Sequence, residues 1–403
     1  MRYFFESINE QGKTITGEYE ADSEIKVIEY LQKRRLKPLL VKPKKAAPVF
    51  THHLSFFEKI TTVDRITLVR NLAATNRAGL SILDSLEILA QDASKPLLKK
   101  ILLQIKSNVE GGQPLWQSFQ NYQQHFPPFF VGMVRAAETS GKLDVTLQEL
   151  TQYLTREYNL LKKIKSALTY PLILLMASFG VVVFLLGFVL PRVEKTFERS
   201  QIVLPLATRI LLQISHAIKY SILLDVFILA GIVAVVFFLY RSTAGKKFFT
   251  KILFRIPLVR EVMKKVALVR FSRTLGSLLS SGTPITEALE LSANSVGNEF
   301  YKQAIIKANK DIARGLALSK SLATESKLFP HFLVSLVTVG ERTGTLTHVL
   351  KTFADFYDEE VDYTLKSVAT FLEPIMLLLM GVIIGLIALS ILLPIYQIVG
   401  KYV

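Results

Sequence analysis

The chain has 403 residues, half of them apolar and 20% charged, with a mean hydropathy of +0.35. That is too apolar for an ordinary soluble protein and too charged for one mostly embedded in lipid, so water-facing domains joined by a few spans fit both numbers. The net charge of +16 suits the cytoplasmic side of a membrane; its Lys and Arg lie along helices without the aromatic interleaving of a nucleic-acid site, and the lack of cysteine excludes disulfides and thiolate chemistry.

Residues 1–45 read as a small α/β module. Residues 3–8 and 13–19 alternate around Asn9-Glu10-Gln11-Gly12, a hairpin signal. Ala21-Asp22-Ser23 then opens a helix with Ile25, Ile28 and Leu31 on one face, and residues 39–41 supply a closing strand. The start of the chain has no apolar signal core, so this module is expected in the cytoplasm. Residues 46–60, entered through Lys42-Pro43-Lys44-Lys45, form a linker with no packing face.

From Thr61 the apolar period becomes helical. Ile66, Val69, Leu72 and Ala73 mark one helix, Gly79 breaks it, and Ser81 caps the next. Further on stand Glu138-Thr139-Ser140-Gly141, a stripe of Leu143, Leu147, Leu150 and Leu154, then Pro171, then an apolar run closing at Leu190-Pro191. All of this recurs. Gly282 answers Gly79, and Glu341-Arg342-Thr343-Gly344 answers the first Glu-x-x-Gly. Leu346, Leu350, Phe353 and Tyr357 make the second stripe, and Pro374 and Leu393-Pro394 close the second copy. The glutamates and the closing prolines share one offset (341 − 138 and 394 − 191 both give 203), so the copies differ by no net insertion.

The expected architecture is therefore mainly α. Two cytoplasmic helical bundles, 61–168 and 242–371, are each followed by a span, 169–191 and 372–396; a middle span, 221–241, returns the chain to its starting side. Arg156, Lys162, Lys163 and Lys165 before the first span, and Arg241, Lys246 and Lys247 after the second, place both bundles inside the cell and the C-terminus outside. Residues 192–220 form the outer loop, where Leu206, Ile210, Ile214 and Ile218 suggest an amphipathic helix at the interface.

No phosphate-binding loop, nucleophile elbow or paired histidines occur, so the sequence points to no enzyme, no metal and no cofactor. Two kinds of residue stand out instead. Glu373 lies before Pro374 at the edge of a span. It either makes a polar contact inside the bilayer or sits at a helix start, where the dipole favours a carboxylate. Glu138 and Glu341 either form a partner surface or bond amides at the start of the helix that follows. Gly141 and Gly344 make the tight turns.

These segments carry a resemblance. Met133-Val134-Arg135-Ala136-Ala137-Glu138 through Leu143, and Gly340-Glu341 through Leu346, look like the signature turns of the type II secretion F / type IV pilus platform family. Leu168-Thr169-Tyr170-Pro171, Leu372-Glu373-Pro374 and Ile391-Leu392-Leu393-Pro394 are similar too, and the likeness covers essentially the whole chain. It implies a multi-pass protein of the bacterial inner membrane that oligomerises. Its partners would be a hexameric cytoplasmic assembly ATPase, pilin or pseudopilin subunits, other inner-membrane assembly proteins and lipid. Ala137 departs from the family's usual glycine, and Gln148 and Gln152 lack the charges a carboxylate cation site needs. A signalling scaffold and a small transporter subunit are the competing classes; three spans give a transporter little membrane for a substrate path.

Overall fold

Each bundle hands its last helix to the membrane without a break. In a computed structural model, which describes residues 2–8, 14–21, 24–34, 36–43, 59–199, 209–213, 215, 245 and 257–399, helix α7 runs from Leu143 to Phe184. It continues through a π-helical stretch, Leu185–Val189, into a last α segment, Leu190–Arg199. Helix α13 runs from Leu346 to Val399, 54 residues, or about 80 Å at 1.5 Å per residue. A bilayer core is about 30 Å thick, so such a helix serves both as bundle wall and as span. Both are long and apolar enough to cross a membrane. Leu172, Ile173, Met176, Phe179, Leu377 and Leu378 stand exposed on them, and this contiguous apolar surface is what lipid would cover. The middle span, 221–241, lies outside the described residues.

The first bundle also contains α2 (Thr62–Arg77), α3 (Ile82–Asp92), α4 (Pro96–Glu110), α5 (Leu115–Gln120) and α6 (Pro128–Ser140). Thr61 starts α2 with a capping box: its hydroxyl accepts the Asp64 N–H, and Asp64 accepts the Thr61 N–H at 2.6 Å. Leu147, Leu150 and Leu154 of α7 are buried, and Phe119, Phe126 and Phe130 pack ring against ring. The second bundle repeats the series as α8 (Pro257–Ser280), α9 (Ile285–Ser295), α10 (Glu299–Ala313), α11 (Leu318–Thr324), α12 (His331–Thr343) and α13. Its core includes Leu350, Phe353, Phe329 and Tyr301. The Tyr301 hydroxyl donates to the Leu328 carbonyl at 2.8 Å, and burial raises its pKa above the usual phenol range.

At the N-terminus, β1 (Arg2–Ile8) lies between β2 (Thr14–Glu20) and β3 (Lys37–Pro43) in an antiparallel sheet backed by α1 (Glu24–Lys33). Val27 and Leu31 are the residues α1 buries, with Tyr30 beside them. Leu31 is buried as the sequence suggests, Val27 joins it, and Tyr30 stacks on Tyr19 of β2. Of the segment after the first long helix, Leu211, Leu212 and Ser215 meet the two long helices and Ile210 is exposed; Leu206, Ile214 and Ile218 lie outside the described residues. Ser215 donates to the Leu186 carbonyl at 2.6 Å, within the π-helical stretch where the usual ladder is disturbed.

Gly141 and Gly344 end α6 and α12 in the left-handed region, at φ 68° and 72°, with open space where a Cβ would stand. Backbone strain alone therefore decides substitution there. Gly344→Val should lower the melting temperature of the purified protein well below that of Gly344→Asn, since asparagine tolerates this region and a β-branched residue does not. Equal melting temperatures for the two would show that the turn relaxes.

Candidate functional site

Helices α5 and α11 begin at Pro114 and Ala317, neither of which offers a side-chain acceptor to the first amides. The acceptor comes from elsewhere in the bundle. Glu138, at the end of α6, takes the Leu115 and Trp116 N–H groups at 2.9 and 3.0 Å. Glu341, at the end of α12, takes the Leu318 and Ser319 N–H groups at 2.6 and 3.1 Å. Each carboxylate satisfies two orphan donors at the positive end of a helix and ties it to the turn that Gly141 or Gly344 closes. The capped helix is the preceding one in the chain, not the one that follows as the sequence suggested. The turns at Gly79 and Gly282 are alike as well, with φ of 84° and 85°.

Pro171 and Pro374 lie inside α7 and α13, each removing one N–H from the ladder. Beside them stand Tyr170 and Glu373, at equivalent places in the two repeats. The Tyr170 hydroxyl donates to Glu373 Oε1 at 3.1 Å. This overturns the helix-start account of Glu373, because α13 begins at Leu346 and the carboxylate sits mid-helix, away from any terminal dipole. Its partner is the neighbouring span.

Below that bond the repeats are joined by a seam that the sequence reading missed. Glu149 accepts from Lys351 at 2.8 Å, Lys163 pairs with Asp358 at 2.9 Å, Glu157 with Arg270 at 2.5 Å and Arg135 with Glu287 at 3.1 Å; Arg156 also meets Asp355. Leu160 enters an apolar cluster with Val266, Val269, Val361 and Leu365. Tyr153 hydrogen-bonds Thr274 at 3.1 Å in the buried centre. A signal existed in the sequence. The first repeat is basic at Arg156, Lys162 and Lys163, where the second is acidic at Asp355, Asp358 and Asp362, as two neighbouring parallel helices require. Of the residues singled out by sequence, Gly282 lines a cleft of about 270 Å³ in this seam with Gly132, Arg135 and Glu287. Glu138 and Glu341 each serve their own bundle. Among the described residues no group of three His, Asp or Glu side chains could hold a metal ion.

Two equivalent helical bundles, each prolonged into a membrane-length helix and joined by a charged seam, define a duplicated membrane protein with no catalytic constellation among its described residues. The chain belongs to the family described as Type II secretion system (T2SS), protein F, which it matches twice, over residues 68–191 and 271–394. It is 34% identical to a type IV pilus assembly protein PilC of Myxococcus xanthus over 99% of this chain and 95% of that one. It is 36% identical to a protein of the same name from Thermus thermophilus, over 82% and 81%. It is also 31% identical to the type II secretion system protein F of Pseudomonas aeruginosa, over 98% of each.

Replacing Glu138 or Glu341 with alanine strands two amides and should cost about 1–3 kcal/mol in each case. Thermal unfolding in detergent would read this. Unchanged stability with loss of a partner would instead make the carboxylates a contact surface.

Proposed function

We propose that this chain is the inner-membrane platform of a type IV pilus or type II secretion machine, coupling a cytoplasmic assembly ATPase to the polymerisation of pilin or pseudopilin subunits. Support comes first from the relatives, which are named for pilus assembly and for secretion and match over nearly the whole chain. The observation that carries the mechanical part is the continuity of α7 and α13. A tilt or rotation imposed on a bundle passes into the bilayer through a continuous helix, in which Pro171 and Pro374 each remove only one donor. Basic bundle surfaces suit an acidic face on the ATPase. In this reading the N-terminus and both bundles lie in the cytoplasm, three helices cross, and the C-terminus is outside. Other inner-membrane assembly proteins, lipid and further copies of the chain complete its surroundings.

Gentle co-purification from cells that are assembling the machine should bring down an assembly ATPase together with pilins or pseudopilins, identified by mass spectrometry. A clean preparation lacking both would sink the proposal. A short flexible Gly-Ser insertion after Ser166 should abolish assembly while membrane insertion and ATPase co-purification persist; retained assembly would remove the lever. Because the chain has no cysteine, single cysteines at Ser200 and Lys320 should label from opposite sides of the membrane. Labelling from one side would reverse the topology.

A further inference from the structure

The two repeats do not meet through equivalent faces. α6 and α7 of the first lie on α8, α9 and α13 of the second, whereas α12 and α13 have no comparable packing on α2 and α3 among the described residues. Equivalent residues therefore differ in exposure. Phe129 and Tyr153, whose ring centroids lie 3.8 Å apart, are 4% and 7% exposed, while their counterparts Phe332 and Phe356 are 50% and 49% exposed. On the receiving side Val266 is 9% exposed, and its counterpart Val63 is 48% exposed.

The groove tells the same story. Where Tyr153 and Arg156 meet Arg273, Ser277, Lys351 and Ala354, only about 30 Å³ remains. The four equivalent positions in the first repeat, Arg70, Ala74, Gln148 and Thr151, line an open groove of about 320 Å³ together with Arg77. The side chains equivalent to those that fill the closed version (Gln152, Tyr153, Arg156) are Asp355, Phe356 and Glu359. Asp355 already pairs with Arg156 of its own chain, so Glu359 is the carboxylate that would meet the two arginines beside the aromatic ring.

We infer that the α12–α13 face of the second repeat docks on the α2–α3 side of the first repeat of a second copy of this chain, with Phe356 taking in that groove the place Tyr153 takes within the chain. The contact is head-to-tail, so each chain offers one face of each kind. It is also compatible with a shared bilayer. α7 and α13 pair in parallel from Glu149–Lys351 to Tyr170–Glu373, so a second copy placed by the same relation stands the same way up. The inference holds whichever machine the chain serves.

Within the chain Gly132 lies against Leu291, a Cβ there falling 2.5 Å from its Cδ1; the equivalent pair across two copies is Ser335 and Ile88, both exposed. Full-length chains carrying Ser335→Cys and differently tagged chains carrying Ile88→Cys, co-expressed in native membranes, should form a mixed covalent dimer on mild oxidation or with a short bismaleimide. Neither variant alone should cross-link to itself. Phe356→Lys, which sets a like charge before Arg70 and Arg77, should cut the yield about tenfold or more, and Phe356→Tyr should retain it. No mixed dimer, like-to-like cross-linking, capture of a different protein instead, or a yield indifferent to Phe356→Lys would each overturn the inference.

Discussion

Lipid offers no partner to a backbone amide, and this one constraint shapes the protein from the bundle cores outward. A chain entering the bilayer must already be helical, so the last helix of each bundle starts in water and stays helical through the boundary. Pro171 and Pro374 each remove a donor near that boundary. The neighbouring Thr169 and Thr370 hydroxyls bond back to the Lys165 and Lys366 carbonyls one turn below. At the same level Tyr170 and Glu373 satisfy each other. Polar groups are thus paired just where water becomes scarce.

The duplicated halves share parts and differ in surfaces. The carboxylate cap, the left-handed glycine and the buried stripe are the same in both, because every bundle needs them to close. Residues on the seam diverge: Lys163 faces Asp358, and Glu149 faces Lys351. In such half-buried ion pairs desolvation offsets much of the attraction. Their contribution is mainly register, with Leu160 and Tyr153 supplying the burial. One hollow shows the divergence well. In the first repeat the single tryptophan, Trp116, lies under the Arg135 guanidinium at 5.0 Å; at the equivalent place in the second, Ser319 and Thr338 line a depression of about 360 Å³.

Much of this was legible in the sequence. The 203-residue offset between Glu138 and Glu341 is also the spacing of the two family matches, 68–191 and 271–394. The apolar stripes of α7 and α13 are bundle core because a period of 3.6 leaves little other use for them. Other features were hidden by distance along the chain. Glu138 caps amides 22 and 23 residues upstream, and no local pattern links them. The stacking of Tyr30 on Tyr19, from another element, is likewise invisible to the period of α1. For Glu373 the sequence left two accounts open, a contact with another helix and a helix start; the first holds, because α13 runs on past Pro374 and Tyr170 supplies the partner. The seam is hidden because its basic residues, lying before a span, already have a use as a topology signal.

The meeting of Tyr170 with Glu373 has a historical side. A half-length forebear pairing with its own copy at that level would have had to oppose two tyrosines or two glutamates. The first pair forms a weaker hydrogen bond, and the second repels until one proton is retained. Two copies that differ in sequence, as the repeats of this chain do, can place a donor on one side and an acceptor on the other. Once they do so the halves are no longer exchangeable, and the order in which they follow each other along the polypeptide becomes part of what is inherited.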